Sequence, residues 1–367
     1  MKVRISQKAF SDGVGAVTKF VPKEAVRPIL GGVLVTAKEG SVTLEAGDLT
    51  TAIRQTVPAD VEEEGRTVLS GKVLAQMAKT LRDAPVSIET TDNGATLKCG
   101  RSRFKLMTLD PLDFPSFPAI DAQQSLTIGS DVAAELVKRV EGAASKDEHR
   151  PVLNGVHLTC DEENVTLVAT DSYRLAVAAA PLPEGEAAAG LSATIPTDAI
   201  RNVILAASKA DTVTFGIGEG LVSIEYGDTS LATRTIEGTF PDHHMLIPKE
   251  PGTVIKLDPD DLASAVKRVT IVSPSNGFVR LNLNAEAAEL GLAVKSISDG
   301  EANDAVQVEV EGQSVSMALN YHYLLHALNC VSGDEETTMS ITDPMRPAIF
   351  RSRGSVNYLC LLMPVRD

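Results

Sequence analysis

An α+β fold of three repeated β-rich domains with two helices each is what this sequence predicts, on three observations. Residues 27–48 (RPILGGVLVTAKEGSVTLEAGD) align without gaps on residues 150–171 (RPVLNGVHLTCDEENVTLVATD) at an offset of 123, with twelve of twenty-two positions identical. The pairs Phe114-Pro115, Phe240-Pro241 and Met363-Pro364 recur at intervals of 126 and 123, and each proline lies 45 residues after a matched strand-to-helix junction, at Ser70, Pro196 and Leu319. Since 367 residues is close to three times 122, the repeat accounts for the whole chain. A period of about 120 far exceeds the ~20–50 residues of a solenoid unit and suits a domain with its own core. The expected domains are 1–120, 121–248 and 249–367.

Each copy opens on an amphipathic helix, over 7–19, 130–142 and 259–269. Asp or Ser near the start supplies an N-cap and early negative charge, and in the later copies Lys and Arg sit towards the end, as the helix dipole favours. Strands alternating in period two follow, around 33–35 and 42–44, then 156–159 and 165–169, then 278–283 and 289–295. A second helix begins the latter half of each copy, over 71–82, 197–208 and 320–329, and short strands lead on to the Phe-Pro or Met-Pro signature. The proline-rich stretch from Leu112 to Ala122 reads as a linker between the first two copies.

The chain is 43% hydrophobic and 23% charged, with no Trp and a net charge of −15. It has no apolar run near the ~18 residues of a membrane span, and its first ten residues lack the apolar core of a secretion signal. Its four cysteines, Cys99, Cys160, Cys330 and Cys360, have no metal-like spacing, which fits reduced thiols in a cytoplasmic protein. Neither a cofactor nor a metal is expected. The stretch from Gly65 to Gly71-Lys72 is one residue too long for a phosphate loop, and Val73 stands where Ser or Thr is required. HExxH, paired CxxC and GxSxG motifs are absent, so catalysis is not expected.

Basic residues nevertheless recur on the matching helices and their ends: Lys72, Lys79 and Arg82; Lys138 and Arg139; Arg201 and Lys209; Lys267 and Arg268. Proteins that grip nucleic acid are usually basic overall. Here the placement of the charge, and not its sum, is the informative quantity.

Several stretches then carry a family resemblance: RPILGG with GDLTTAI, GRSRFKLMTLDPLDFP (100–115), RPVLNG with LVATDSYRLAV (167–177), EGTFPD (237–242) and the terminal LLMPVRD. Together they span the chain and resemble the bacterial DNA polymerase III β subunits, the sliding clamps. The resemblance implies a non-catalytic homodimer, closed head to tail as a six-domain ring with helices inside and sheets outside. Twelve helices at ~8–10 Å spacing trace a circle of ~110 Å, which leaves an opening on the order of 25 Å for double-stranded DNA. Such a ring holds DNA topologically, so weak, sequence-independent phosphate contacts suffice. The helical basic residues, together with Lys146 and Arg150, would face the DNA; the rest of the loop Lys146-Asp147-Glu148-His149 is partly acidic, a departure from relatives that touch DNA there.

The dimer interface implied is Phe104 and Leu106 on an edge strand against Ile271 and Val272. The resemblance also implies a cleft for short linear peptides from the polymerase III α subunit, clamp-loader subunits, other polymerases and repair proteins. Its matching positions are Leu153, Thr170, Ser172, Tyr173, Arg174, Leu175, Pro241 and Leu246, then Leu361, Met363, Pro364, Val365 and Arg366, with Asn320, Tyr323 and Met345 opposite. Met and aliphatic side chains make adaptable pockets, which suits several partners. Met245 stands where some relatives carry Arg, and the chain ends in Asp367, so the preferred peptide is expected to differ in detail. The rival readings are a peptide-binding scaffold unrelated to DNA and an enzyme using Asp171 and Tyr173.

Overall fold

The computed structural model describes residues 1–91, 94–186, 188–248, 252–273, 277–331 and 336–365, with the side chains of 205–207 outside the description. By packing, the chain forms two compact units: Met1–Thr127 with Ser208–Thr235, and Ile128–Ala207 with Ile236–Asp367. The unit of packing is therefore not the unit of repetition, because sheets run across the borders between copies.

In the first unit a five-stranded sheet has the order Asp60–Glu63, Lys2–Ile5, Val86–Thr91, Gly94–Cys99, Ser102–Leu106. A nine-stranded sheet runs Thr108–Leu109, Gly65–Ser70, Gly32–Lys38, Ser41–Gly47, Thr51–Pro58, Thr229–Arg234, Leu221–Tyr226, Thr212–Gly218, Gln124–Gly129. The strand Thr51–Pro58 of the first copy pairs antiparallel with Thr229–Arg234 of the second, Thr51 opposite Thr233. Helices α1 (Gln7–Val17) and α2 (Gly71–Ala78) pack together. Phe10, Val14 and Val17 of α1 and Leu74 and Met77 of α2 share one core with Val3, Ile5, Ile88 and Leu97 of the smaller sheet and Val33, Leu44 and Ile53 of the larger.

The second unit repeats the device. Its nine-stranded sheet runs Ser192–Pro196, Gly155–Cys160, Asn164–Thr170, Arg174–Pro181, Asn357–Leu362, Ala348–Ser352, Thr337–Ile341, Thr253–Lys256, Glu309–Glu311. A four-stranded sheet runs Gly300–Gln307, Glu289–Ser296, Phe278–Asn284, Val315–Asn320. Arg174–Pro181 pairs with Asn357–Leu362, Leu175 opposite Leu361, so the second copy joins the third as the first joins the second. The remaining helices are α3 (Ser130–Val140), α4 (Thr197–Ile200), α5 (Pro259–Val269) and α6 (Tyr321–Asn329). The threefold pattern shows in the packing: α1 lies on Thr51–Pro58, α3 on Arg174–Pro181 and α5 on Gly300–Gln307.

The caps follow local chemistry. Ser6 and Ser70 accept from the amides of Ala9 and Val73, Asp258 from Asp260 and Asp261, and Asn320 from His322 and Tyr323. The sequence pattern misplaces three details. Gly129, not a polar side chain, caps α3, leaving Asp131 to supply the early charge. Helix α2 stops at Ala78, where the Thr80 hydroxyl donates to the carbonyls of Gln76 and Met77; Lys79 is thus its cap residue and Arg82 lies beyond it. The expected helix over 197–208 is α-helical only to Ile200 and continues as 3-10 turns over Arg201–Ser208. The Asn202 side-chain amide donates to the carbonyls of Asp198 and Ala199 and so competes with the backbone amides for the helical acceptors.

The Phe-Pro signature acquires a packing role. Phe114 packs on a small cluster of Ile29, Leu30, Leu34 and Val68. Phe240 belongs to the corresponding cluster with Leu153, Val168, Leu175 and Leu361. There His157, 123 residues after Leu34, stacks on the Phe240 ring at 4.8 Å with an interplanar angle of 2°. In each case the phenylalanine closes a core behind the chain leaving its domain.

Candidate functional site

The most elaborated feature of the second unit is the turn Thr170-Asp171-Ser172-Tyr173-Arg174. Asp171 Oδ1 accepts from the amides of Tyr173 and Arg174, both at 2.9 Å. The Thr170 hydroxyl donates to the Arg174 carbonyl at 2.6 Å and accepts from the Ser172 amide at 3.1 Å. Ser172 is held at φ +76°, in the left-handed region that only a well-braced turn imposes on a residue with a side chain. These bonds leave Tyr173 exposed at the tip and send the strand Arg174–Pro181 back into the sheet.

Arg174 turns the other way. Its side chain is 13% exposed and that of Asp171 14%, and Nε donates to Asp171 Oδ2 at 2.9 Å. Nη2 donates to the Gly142 carbonyl, and the guanidinium lies over the Tyr323 ring, 4.5 Å from its centroid. Tyr323 comes from the first turn of α6, which Asn320 caps, so one arginine ties the second copy to the third. The chain end completes the arrangement. The Met363 amide donates to the Tyr173 carbonyl at 2.9 Å, Pro364 bridges Leu319, and the Val365 amide donates to the Ala318 carbonyl at 2.8 Å.

The peptide-cleft positions therefore divide. Leu153, Leu175 and Leu361 are buried together as a floor and are not surface contacts. Thr170 and Asn320 spend their oxygens on the turn and on the α6 cap. Tyr173, Ser172, Pro241, Leu246, Met345 and Met363 are exposed, and Arg174, Tyr323, Pro364 and Val365 are half-buried. Arg366 lies outside the described residues. The sequence reading named Asp171 only for the rival enzyme and missed its role as the brace of both the turn and Arg174, along with the Gly142 carbonyl; the aspartate three residues before an arginine was the available signal.

A cavity of about 400 Å³ adjoins the turn, lined by Tyr173, Arg174, Tyr323 and Asp171 on one side and by Lys146, Asp147 and Arg150 on the other. Arg150 Nη1 donates to Ser172 Oγ at 2.9 Å. Residues expected to serve DNA and residues expected to serve a peptide thus line one cavity.

The remaining basic residues also divide. Lys72, Lys79, Arg82, Lys138, Lys146, Lys209 and Lys267 are exposed and form no ion pair among the described residues. Arg201 is exposed but pairs with Glu141 and Asp198, at 2.5 and 3.2 Å, and Arg268 pairs with Asp304 at 2.6 Å. Their charge is largely answered within the chain. Arg139 corrects the expectation outright: it is 3% exposed. Lys138 takes the solvent face of α3, and one residue further round the helix Arg139 points inward, where Nε donates to Glu135 at 2.7 Å. Of the interface residues, Ile271 is 81% exposed and Val272 half-buried, while Phe104 and Leu106 pack partly against their own core.

Three histidines lie in or beside the site. Burial lowers His157, His243 and His326 from the ordinary value of 6.5, and the Arg174 charge further lowers His326. A group with a depressed folded-state pKa contributes stability that is whole above its unfolded value and is lost as pH falls through and below it. The melting temperature is therefore expected to fall as the pH drops below 6.5. His157→Leu, which restores the residue of the first copy, is expected to flatten part of that acid limb. An identical pH dependence in variant and parent would remove His157 from the explanation.

Among the described residues no cluster of three metal-ligating side chains occurs, and no helix is long and apolar enough to cross a membrane.

Comparison with known proteins fits this geometry. Family models for the DNA polymerase III beta subunit match the chain three times in order: the N-terminal domain over residues 1–118, the central domain over 127–242 and the C-terminal domain over 244–366. The beta sliding clamp of Streptomyces coelicolor is 32% identical over 377 aligned residues, covering 100% of this chain and 99% of the relative. The DNA polymerase sliding clamp of Bacillus subtilis has a similar solved structure, with a TM-score of 0.91 at 26% identity, covering 100% of this chain and 99% of that one. A sliding clamp (DNA polymerase III subunit beta) from Bartonella birtlesii, solved bound to griselimycin, gives a TM-score of 0.92 at 25% identity and full coverage of both chains.

Proposed function

This chain belongs to the DNA polymerase III beta subunit family, and we propose on that footing that two copies close head to tail around duplex DNA and tether the replicative polymerase to it. The family is a non-catalytic processivity factor, and the chain acts as a sliding clamp, not as an enzyme. The observation that carries this reading is the match of all three family domains, in order, across the three sequence repeats. The domains are taken as 1–120, 121–248 and 249–367, and the protein as cytoplasmic.

The seven basic side chains named above, exposed and without an ion pair among the described residues, supply the sequence-independent phosphate contacts. Because the ring holds DNA by topology, few and weak contacts serve it better than many. The turn 170–174 with the chain end 361–365 receives peptides from the polymerase α subunit, the clamp loader and other replication and repair proteins. Tyr173, Met363, Met345 and Leu246 offer apolar contacts over the leucine floor. Two buried anchors contribute roughly 1.5–3 kcal/mol each before ordering costs, so binding is exchangeable and on the order of micromolar.

Topology gives the decisive test. Loaded by a clamp loader and ATP on nicked circular DNA, the protein is expected to remain on the circle and to leave once the DNA is linearised. Retention on linear DNA, or no loading, would overturn the reading.

A further inference from the structure

The hydrogen-bonded frame of the turn that carries the candidate cleft recurs in the first unit, without the left-handed φ of Ser172. Asp48 stands 123 residues before Asp171. Its Oδ1 accepts from the amides of Thr50 and Thr51 at 2.7 and 2.8 Å, as Asp171 Oδ1 accepts from Tyr173 and Arg174. The Asp48 amide donates to the Thr51 carbonyl at 2.9 Å, and the Asp171 amide to the Arg174 carbonyl at 3.3 Å. The strand leaving each turn pairs with a strand from the next copy, and one residue beyond that pairing the same bond recurs. The Arg234 amide donates to the Thr50 carbonyl at 3.0 Å, where the Met363 amide donates to the Tyr173 carbonyl at 2.9 Å. Leu49 thus occupies the place of Ser172, Pro115 that of Pro241, and Arg234 that of Met363.

The duplicated frame encloses a cavity of its own, of about 170 Å³, lined by Leu49, Ala52, Pro115, Pro118, Leu221 and Arg234 among others. Leu49 is 60% exposed, so apolar surface remains to be covered. The linker wall is fixed in place: the Phe117 ring lies 4.2 Å from the Arg54 guanidinium, which is itself held by Glu45 at 2.6 Å. Asp48 already accepts from two amides and the Thr50 hydroxyl, and Arg234 has no ion pair among the described residues. The cavity is therefore lined mainly by apolar surface, with the Asp48 carboxylate turned to its own backbone amides and the Arg234 guanidinium free of any ion pair among the described residues.

We propose that this cavity is a second, weaker docking site for a linear peptide, taking one aliphatic side chain flanked by an acidic residue. The inference rests on reading the turn 170–174 as a peptide cleft. At 170 Å³ the cavity falls below the ~300 Å³ at which pockets for larger ligands begin, so it takes a single leucine-sized anchor. The exchange of Met363 for Arg234 at the matching position turns an apolar contact into a cationic one and selects the acidic neighbour.

The test uses the full chain with labelled leucine methyl groups and two probes, acetyl-Ala-Leu-Asp-Ala-amide and its Asn counterpart, at millimolar concentration. The Leu49 and Leu221 methyl resonances are expected to shift and saturate, with the Asp peptide binding about threefold more tightly than the Asn peptide, as suits one exposed ion pair. Arg234→Gln should remove that difference, and Met363→Asp should leave the response at Leu49 intact. Silence at Leu49 and Leu221, or equal binding of the two peptides there, would overturn the second site. Shifts at Leu49 with none at Leu246, the exposed leucine of the cleft, would overturn the cleft and leave this site standing; the reverse pattern would overturn this site alone.

Discussion

Replacing Arg174 with alanine is expected to destabilise the protein by about 2–4 kcal/mol and to weaken peptide binding about a hundredfold. Three interactions end at once: the pair with Asp171, the bond to the Gly142 carbonyl and the cover over Tyr323. Losing one partner of a buried ion pair typically costs about 3–5 kcal/mol, because the other charge is left stranded. The loss is smaller here because Asp171 keeps the amides of Tyr173 and Arg174 on its other oxygen. The binding loss exceeds what one contact would give, since the turn and Tyr323 lose the post that sets their spacing. Arg174→Lys keeps the charge but not the planar fork that reaches three partners, so it should fall between parent and alanine. Denaturant midpoints and fluorescence anisotropy with a labelled partner peptide measure the two effects. Unchanged stability with full affinity would show that Arg174 does not brace the cleft.

That brace also shows where the sequence stops being legible. Period-two alternation located Phe278–Asn284 and Glu289–Ser296, because one face of each is buried and a shift of one residue would expose it, whereas Gly32–Lys38 and Ser41–Gly47 are buried in part on both faces. The same logic failed for Arg139. Amphipathicity marks a helical stripe, but a basic residue at the stripe's margin turns inward when a carboxylate such as Glu135 stands one turn away. It failed again over 201–208, where the competition from Asn202 is a side-chain geometry that composition does not show. The cleft was legible only through family resemblance. Its turn depends on hydrogen bonds from Asp171 and Thr170, and its floor on leucines from two distant segments, Leu175 and Leu361, that meet only once the strands pair. Because the first copy builds the same hydrogen-bonded frame around Asp48, the repeat that revealed the fold also conceals which copy serves the partners.

Substituting Ile271 with arginine is expected to halve the mass in solution, from a dimer to a 38.8 kDa monomer, and to abolish retention on circular DNA. Ile271 is 81% exposed within its own chain, so the monomer loses nothing in folding while the dimer loses an apolar anchor and must bury a charge. In the proposed head-to-tail dimer its counterpart would be the edge strand Ser102–Leu106, which among the described residues has a paired neighbour on one side only and so leaves its other side open to a partner strand. On that strand Arg103 and Lys105 are exposed, alternating with Phe104 and Leu106. Phe104→Arg should break the opposite side of the same interface, with some loss of stability because Phe104 also packs on its own core. Mixing the two variants separates dimerisation from ring closure. A head-to-tail contact uses different surfaces on the two copies, so one intact interface can form between the variants while the other stays broken. The mixture should regain dimer mass yet slip off circular DNA. A mixture that regained both would mean that closure of the ring is not what holds the DNA.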